Sequence, residues 1–226
     1  DRALGTERRI QDPDGDHREK IEAVVAHLYD EFPAEHAYAD LTVPRSDAEP
    51  PVPWVLGSSP SSASIAGELG LRYCFAAFIR PQFAVPAFEE YRESFEASDS
   101  AGGPDEPEGI VALNAICAES DEKAARLRAV AEASYKRLRR GVVDSTPTVE
   151  EAIDELGGVP DPTPETLDSD EWPRAISGSP ETLSGLLEQL SERVGVDEVM
   201  IQQVADHEDA LRSHELLADA VGLEGR

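Results

Sequence analysis

Lysine is nearly missing from this sequence. Lys20, Lys123 and Lys136 are all it has, and 20 basic residues face 47 acidic ones, a net charge of −27. Such a surface repels nucleic acid and anionic membrane, so neither is an expected partner. Cysteine is as scarce: Cys74 and Cys117 stand apart, each in an apolar strand-like run, which points to packing rather than a disulfide or a metal site. No CxxC or HExxH spacing occurs, and His17, His27, His36, His207 and His214 show no ligand spacing. No apolar run approaches the roughly 20 residues that cross a bilayer. With no signal-peptide pattern either, the expected location is the cytoplasm.

What is present is a patterned chain. Apolar residues make up 40% of the 226, enough for a core in one large domain or two small ones. The regular apolar pattern argues against an acidic disordered chain. Dispersed Asp and Glu with few lysines resembles the cytoplasmic proteins of salt-loving archaea, in which salt screens the self-repulsion of the surface.

Residues 1–16 are polar and irregular. Ile21, Val24, Val25 and Leu28 recur at helical spacing within 17–29. A proline-punctuated connection leads to a strand at 53–57 and a helix at 61–69, closed by Gly70. Leu71 to Ile79 reads as a second strand, apolar on both faces as in a covered parallel sheet. A helix at 83–97 follows, then a Gly/Pro/Asp loop, a third strand at 109–118 and a helix at 121–140 capped by Ser120 or Asp121. Residues 141–176 are the least regular: a short helix at 148–156, then an excursion suited to a lid. Gly178-Ser179-Pro180-Glu181 opens a helix to Arg193. Residues 197–204 form the fourth strand and 207–221 the last helix. Four strand–helix units predict an α/β fold with a parallel sheet, either doubly wound or a (β/α)8 barrel. No GxGxxG follows a strand, which weakens a dinucleotide-binding reading. Four strands cannot close a barrel of eight, so the barrel reading requires a chain without its first half.

The densest signal lies in Val52-Pro53-Trp54-Val55-Leu56-Gly57-Ser58-Ser59-Pro60-Ser61-Ser62. A short buried strand feeds a Gly/Ser turn and then a helix of small residues. Serines can cap that helix, and its free N–H groups, dipole and hydroxyls suit an anion such as a cofactor phosphate. A plain βα turn with a serine cap is the alternative.

Four segments resemble the bacterial luciferase-like flavin monooxygenases, in particular the subgroup of luciferase family oxidoreductases, group 1. They are Arg2-Ala3-Leu4-Gly5-Thr6, Pro53 to Ser59, Ile176 to Glu181, and Asp206 to Ser213 leading to Glu215-Leu216-Leu217-Ala218. The resemblance implies a (β/α)8 TIM barrel that lacks its first strand–helix units here, a single domain over 1–226, and FMN as cofactor, with a deazaflavin coenzyme as the alternative. It implies that the phosphate rests on Gly57, Ser58, Ser59 and Ser61, with Arg2 as a bidentate partner and Arg18 as a second arginine. Arg18 reads equally well as one half of a surface ion pair. Phe78 would face the flavin. Catalytic residues stay unassigned. The implied activity is oxygenation of a small organic substrate by reduced FMN and O2, with a separate flavin reductase and a homo-oligomer as possible partners. Rival readings are deazaflavin-dependent hydride transfer, a non-catalytic flavin-binding homologue, and an interaction domain without cofactor. For Gly178–Glu181 an ordinary N-cap with proline is favoured over a phosphate site, and for Asp206-His207 a helix cap over a substrate contact.

Overall fold

The computed structural model describes residues 13–32, 34–36, 39, 49–98, 102–142, 145–168 and 172–223. The chain divides into two compact units, residues 1–74 with 86–109, and residues 75–85 with 110–226.

The first unit holds α1 (Pro13–Tyr29), β1 (Trp54–Gly57), α2 (Pro60–Glu68), the start of β2 (Arg72–Ala76) and most of α3 (Ala84–Ser94). Helix α2 packs on β1, and α1 on α2. β1 neighbours β2. The core is aromatic: Tyr73, Phe88 and Tyr91 are fully buried, with ring centroids 5.7 Å apart for Tyr73–Phe88 and 5.5 Å for Tyr73–Tyr91. The Tyr91 hydroxyl lies 2.9 Å from the Leu71 carbonyl and accepts from the Glu108 N–H at 3.2 Å, so the buried phenol has partners on both sides. The Tyr73 N–H donates to the Glu108 carbonyl at 3.1 Å.

The second unit holds the end of β2, β3 (Gly109–Cys117), α4 (Asp121–Arg139), α5 (Val149–Leu156), β4 (Ala175–Gly178), α6 (Pro180–Val194), β5 (Val199–Gln202) and α7 (His207–Ala220). Nearly every residue of β3 is buried, as its unbroken apolar run requires in a sheet covered on both faces. It pairs in parallel with β4, Asn114 opposite Ala175 to Cys117 opposite Gly178. It also pairs in parallel with β5, Val111 opposite Val199 to Asn114 opposite Gln202. Ala77 N–H, just past β2, donates to the Ala112 carbonyl at 2.8 Å. Each helix start has a built cap: Ser120 for α4, Thr148 with Glu151 for α5, Ser179 for α6 and Asp206 for α7. Of the two residues offered for the α4 cap, Ser120 takes the role and Asp121 begins the helix.

The structure corrects several sequence expectations. There are five strands among the described residues, not four. β4 had been absorbed into the irregular stretch and the following helix start, because four residues carry too little periodicity to announce a strand. Pairing with β3 makes it one. The second strand ends at Ala76 rather than Ile79, and a turn follows. The helix expected at 83–97 begins as a 3-10 turn at Pro81–Phe83 and ends at Ser94. The strand before the serine turn is not a buried strand. Val55 is covered, but Trp54 is 37% and Leu56 60% exposed, because α2 covers only one face of β1 and alternate side chains point to opposite faces. Trp54 is therefore not a core residue in this unit.

Candidate functional site

Gly57 ends β1, Ser58 and Ser59 make the turn, and α2 starts at Pro60. Ser59 is the N-cap, with extended backbone (φ −152°, ψ 157°). Its side chain accepts from the Ser62 N–H, while the Ser62 hydroxyl reaches back toward the Ser59 N–H. Pro60, at the first helical position, has no N–H to satisfy. Below the turn, the Tyr73 hydroxyl lies 3.1 Å from Ser62 Oγ and 3.3 Å from the Ser59 carbonyl. Burial pushes the Tyr73 phenol up to about 12, the hydrogen bond with Ser62 opposing only part of the shift. It stays a neutral hydrogen-bonding prop.

The glycine is required by space. A Cβ on Gly57 would stand 2.0 Å from Ser62 Oγ and 3.3 Å from the Tyr73 ring. The chain can approach the cap closely only without a side chain there. Above the cap, the Ser58 and Ser61 hydroxyls make no side-chain hydrogen bond among the described residues, and the Ser61 N–H belongs to the first turn, which has no intrahelical acceptor. One N–H, two hydroxyls and the positive end of a helix dipole therefore lie at a half-buried turn, a donor set that fits a phosphate.

Ser61 also lines an open groove of about 450 Å3 with Arg18, Ser64, Glu68 and Glu90. Of the sequence candidates, the structure brings together Gly57, Ser58, Ser59 and Ser61 on the turn, with Arg18 on the neighbouring groove. Arg18 is paired: its Nε is 3.1 Å from Glu22, and its Nη1 meets Glu68. These carboxylates raise its pKa, the Glu22 hydrogen bond foremost. Its charge is already answered, as the ion-pair reading held. Arg2 lies outside the described residues. Phe78 is half-buried in the turn after β2, in the second unit. Ser62 and Tyr73, which hold the turn, were not among the site residues read from the sequence. Ser62 is named there only within the serine turn.

The two other candidate segments are structural caps. Ser179 caps α6 ahead of Pro180, and its N–H donates to Asp121 Oδ1 at 2.7 Å, while the Thr182 hydroxyl donates to Asp121 Oδ2 at 3.2 Å. A carboxylate of the protein thus occupies the place an anion would take, and these bonds, the Ser179 N–H first, hold Asp121 below the usual carboxylate range. Asp206 caps α7 and His207 is its exposed first residue.

A parallel sheet covered by helices, with a glycine–serine turn feeding one of them, defines an α/β protein whose turn has donors of the kind that suit an anion. The comparisons then name the family. The family model for luciferase-like monooxygenases matches residues 2–198, and the chain belongs to that family. It is 34% identical over 178 residues to the uncharacterized protein YvbT of Bacillus subtilis (strain 168), covering 78% of this chain and 51% of YvbT. Among solved structures, apo-MsnO8 is 34% identical with a TM-score of 0.76, over 94% of this chain and 62% of MsnO8. The oxygenating constituent of 3,6-diketocamphane monooxygenase from Pseudomonas putida, solved with FMN, shares the fold at 21% identity and a TM-score of 0.55, over 96% of this chain and 65% of its own. The chain spans about half to two thirds of the length of these proteins. Of the two architectures that the strand–helix alternation left open, the fold is that of the luciferase-like TIM-barrel proteins.

Proposed function

We propose that this chain is the phosphate-holding part of a flavin-dependent monooxygenase that uses reduced FMN and O2 on a small organic substrate. The observation that carries this reading is the cap of α2. Within a family of monooxygenases, the turn from Gly57 to Ser61 offers free donors at a helix N-terminus and a glycine whose place a larger residue could take only by displacing Ser62. The FMN in the 3,6-diketocamphane enzyme is a further support.

The bound flavin supplies the oxygen chemistry itself. The residues of this chain bind and position it. Ser58 and Ser61 donate hydroxyl hydrogen bonds to the phosphate, and the Ser61 N–H adds a third donor along the helix axis. Ser59 and Ser62 are engaged with each other and hold the cap rigid, with Tyr73 as the prop beneath. Arg18 contributes charge only by exchanging Glu68 for phosphate, and Arg2 is the second cation in this reading. The family resemblance implies Phe78 as the residue toward the ring. A deazaflavin coenzyme carries a phosphate as well, so the same turn serves the alternative.

The test is a titration of the 226-residue chain with FMN in multimolar KCl, read by flavin fluorescence. We expect saturable binding, competed by inorganic phosphate. Ser58→Ala and Ser61→Ala should each weaken it about tenfold to a hundredfold, the value of one charge-assisted hydrogen bond, with melting temperatures unchanged. Well-folded protein that binds no flavin would sink the reading. Preference for a deazaflavin over FMN would transfer it to hydride-transfer chemistry.

A further inference from the structure

Helix α2 sets Ser61, Ser64, Ile65 and Glu68 three and four residues apart, on one face. That face lines the open groove of about 450 Å3, together with Arg18 of α1 and Glu90 of α3. The groove therefore begins at the phosphate turn and follows the helix for about 10 Å, at about 1.5 Å per residue. All six residues belong to the first unit. Helix α3 comes close to α2 at Gly67, where a Cβ would stand 2.8 Å from the Tyr91 carbonyl oxygen. This close packing sets Glu90, the neighbour of Tyr91, beside the groove.

The groove is poor in positive charge. Arg18 is the one cation among its lining residues, and that guanidinium is shared between Glu22 and Glu68. Glu68 also accepts from the Ser64 hydroxyl at 3.1 Å. Glu90 is half-buried, and its carboxylate has no ion pair or hydrogen bond among the described residues. Two carboxylates thus line the groove against one guanidinium, and Glu22 claims part of that one.

What a ligand carries beyond its phosphate decides how such a groove receives it. A phosphomonoester such as FMN ends at the turn and leaves the groove to water. A deazaflavin coenzyme bears its phosphate as a diester, and the second arm is a glutamyl tail with carboxylates of its own. An arm laid along α2 from Ser61 meets Glu68 and Glu90, like charges that repel it, and finds no free cation. Unpaired charge set against the wrong ligand gives discrimination without any new attractive contact. Resting on the placement of the phosphate at the α2 turn, we infer that this groove is a charge filter. Glu90, with Glu68, makes the site select a flavin with a terminal phosphate and reject one whose phosphate carries an anionic tail.

The test titrates the 226-residue chain with FMN, with a deazaflavin that ends in a phosphate, and with the same deazaflavin bearing its glutamyl tail. Each titration is run at the lowest KCl that keeps the protein folded and again in multimolar KCl. At low salt the tailed form should bind about tenfold more weakly than its tail-free phosphate, and KCl should narrow that gap by screening. The ratio of the two forms cancels most of the repulsion that the acidic surface exerts on any anion. Glu90→Gln keeps the shape and removes the charge, and should narrow the gap about threefold at low salt. Glu90→Lys should close it. Glu89→Gln makes the same change in net charge one residue away, at a position that does not line the groove, and should leave the gap intact. Equal binding of the two forms at low salt, a gap that both Glu90 variants leave unchanged, or an equal effect of Glu89→Gln would overturn the inference and leave the cofactor site standing. If neither phosphomonoester binds, the cofactor reading itself falls, and the charge filter with it.

Discussion

The Tyr73 hydroxyl lies 3.1 Å from Ser62 Oγ, so a fully buried ring of β2 props the residue that closes the cap of α2. The serines that face outward depend on this inner pair for their position. Tyr73→Phe removes the hydrogen bond and keeps the ring. It should cost about 1 kcal/mol in urea unfolding and weaken FMN binding without touching any group that meets the phosphate. A variant as stable as the parent would show that the prop is not needed.

Gly57→Ala should be the most damaging single change at the turn. The new methyl would stand 2.0 Å from Ser62 Oγ and 2.4 Å from Ser62 Cβ, and overpacking of this kind costs about 1–3 kcal/mol. Because the Cβ clash persists when the hydroxyl is removed, Ser62→Ala should not rescue it, whereas Ser62→Gly should in part. Thermal melts of the two double variants distinguish steric crowding from loss of the cap.

Arg128 ties the stretch before β4 to α4. Its Nη2 donates to the Asp161 carbonyl at 2.5 Å, its Nη1 to the Thr163 hydroxyl and, at 3.2 Å, to Ser177, and its Nε to Glu132 at 2.9 Å. Arg128→Met preserves bulk and removes all four bonds. We expect a loss of about 2–3 kcal/mol and faster limited proteolysis between residues 157 and 168. Cleavage at the parental rate would refute the role of Arg128 as the anchor of this segment.

Stability should fall at both ends of the pH scale. Burial holds Tyr73 and Tyr91 up to about 12 and Cys117 up to about 11, and raises Cys74 as well. Groups that ionise more readily in the unfolded chain stabilise fully below their unfolded pKa values, near 9 to 10. That contribution is lost as pH climbs from about 9 to 12. Urea midpoints at pH 8, 10 and 11 should fall in that order, and both thiols should resist a disulfide reagent at pH 8 until the protein unfolds.

On the acid side, Asp121 is held below its usual 3.8 by the Ser179 N–H, and Glu119 down to about 2 by Lys123 first, then by its own backbone N–H and by Arg212. Their contribution is present above the unfolded pKa and disappears as pH falls below about 4. Asp121→Asn should flatten that acid limb in a melting series from pH 6 to pH 2. An unchanged slope would mean that the bond to the α6 cap contributes nothing to stability.

Local chemistry alone determined much of this protein. The apolar run of β3, the caps at Ser120, Ser179 and Asp206, the glycine at the end of α2 and the serine turn at 57–61 are each written in a few adjacent residues, because helix ends and buried strands depend on neighbours in the chain. The tertiary structure decided what depends on partners distant in sequence. β4 is a strand only because Ala175 to Gly178 meet Asn114 to Cys117. Trp54 and Leu56 are exposed because α2 covers one face of β1. Asp121 becomes the counterpart of the α6 cap across 58 residues, and Asn114 of β3, Trp172 ahead of β4 and Arg193 of α6 come to line one small cavity. A sequence displays the spacing of residues along one strand or helix. It does not display which side chains folding brings together, and those meetings decide burial, pairing and pKa.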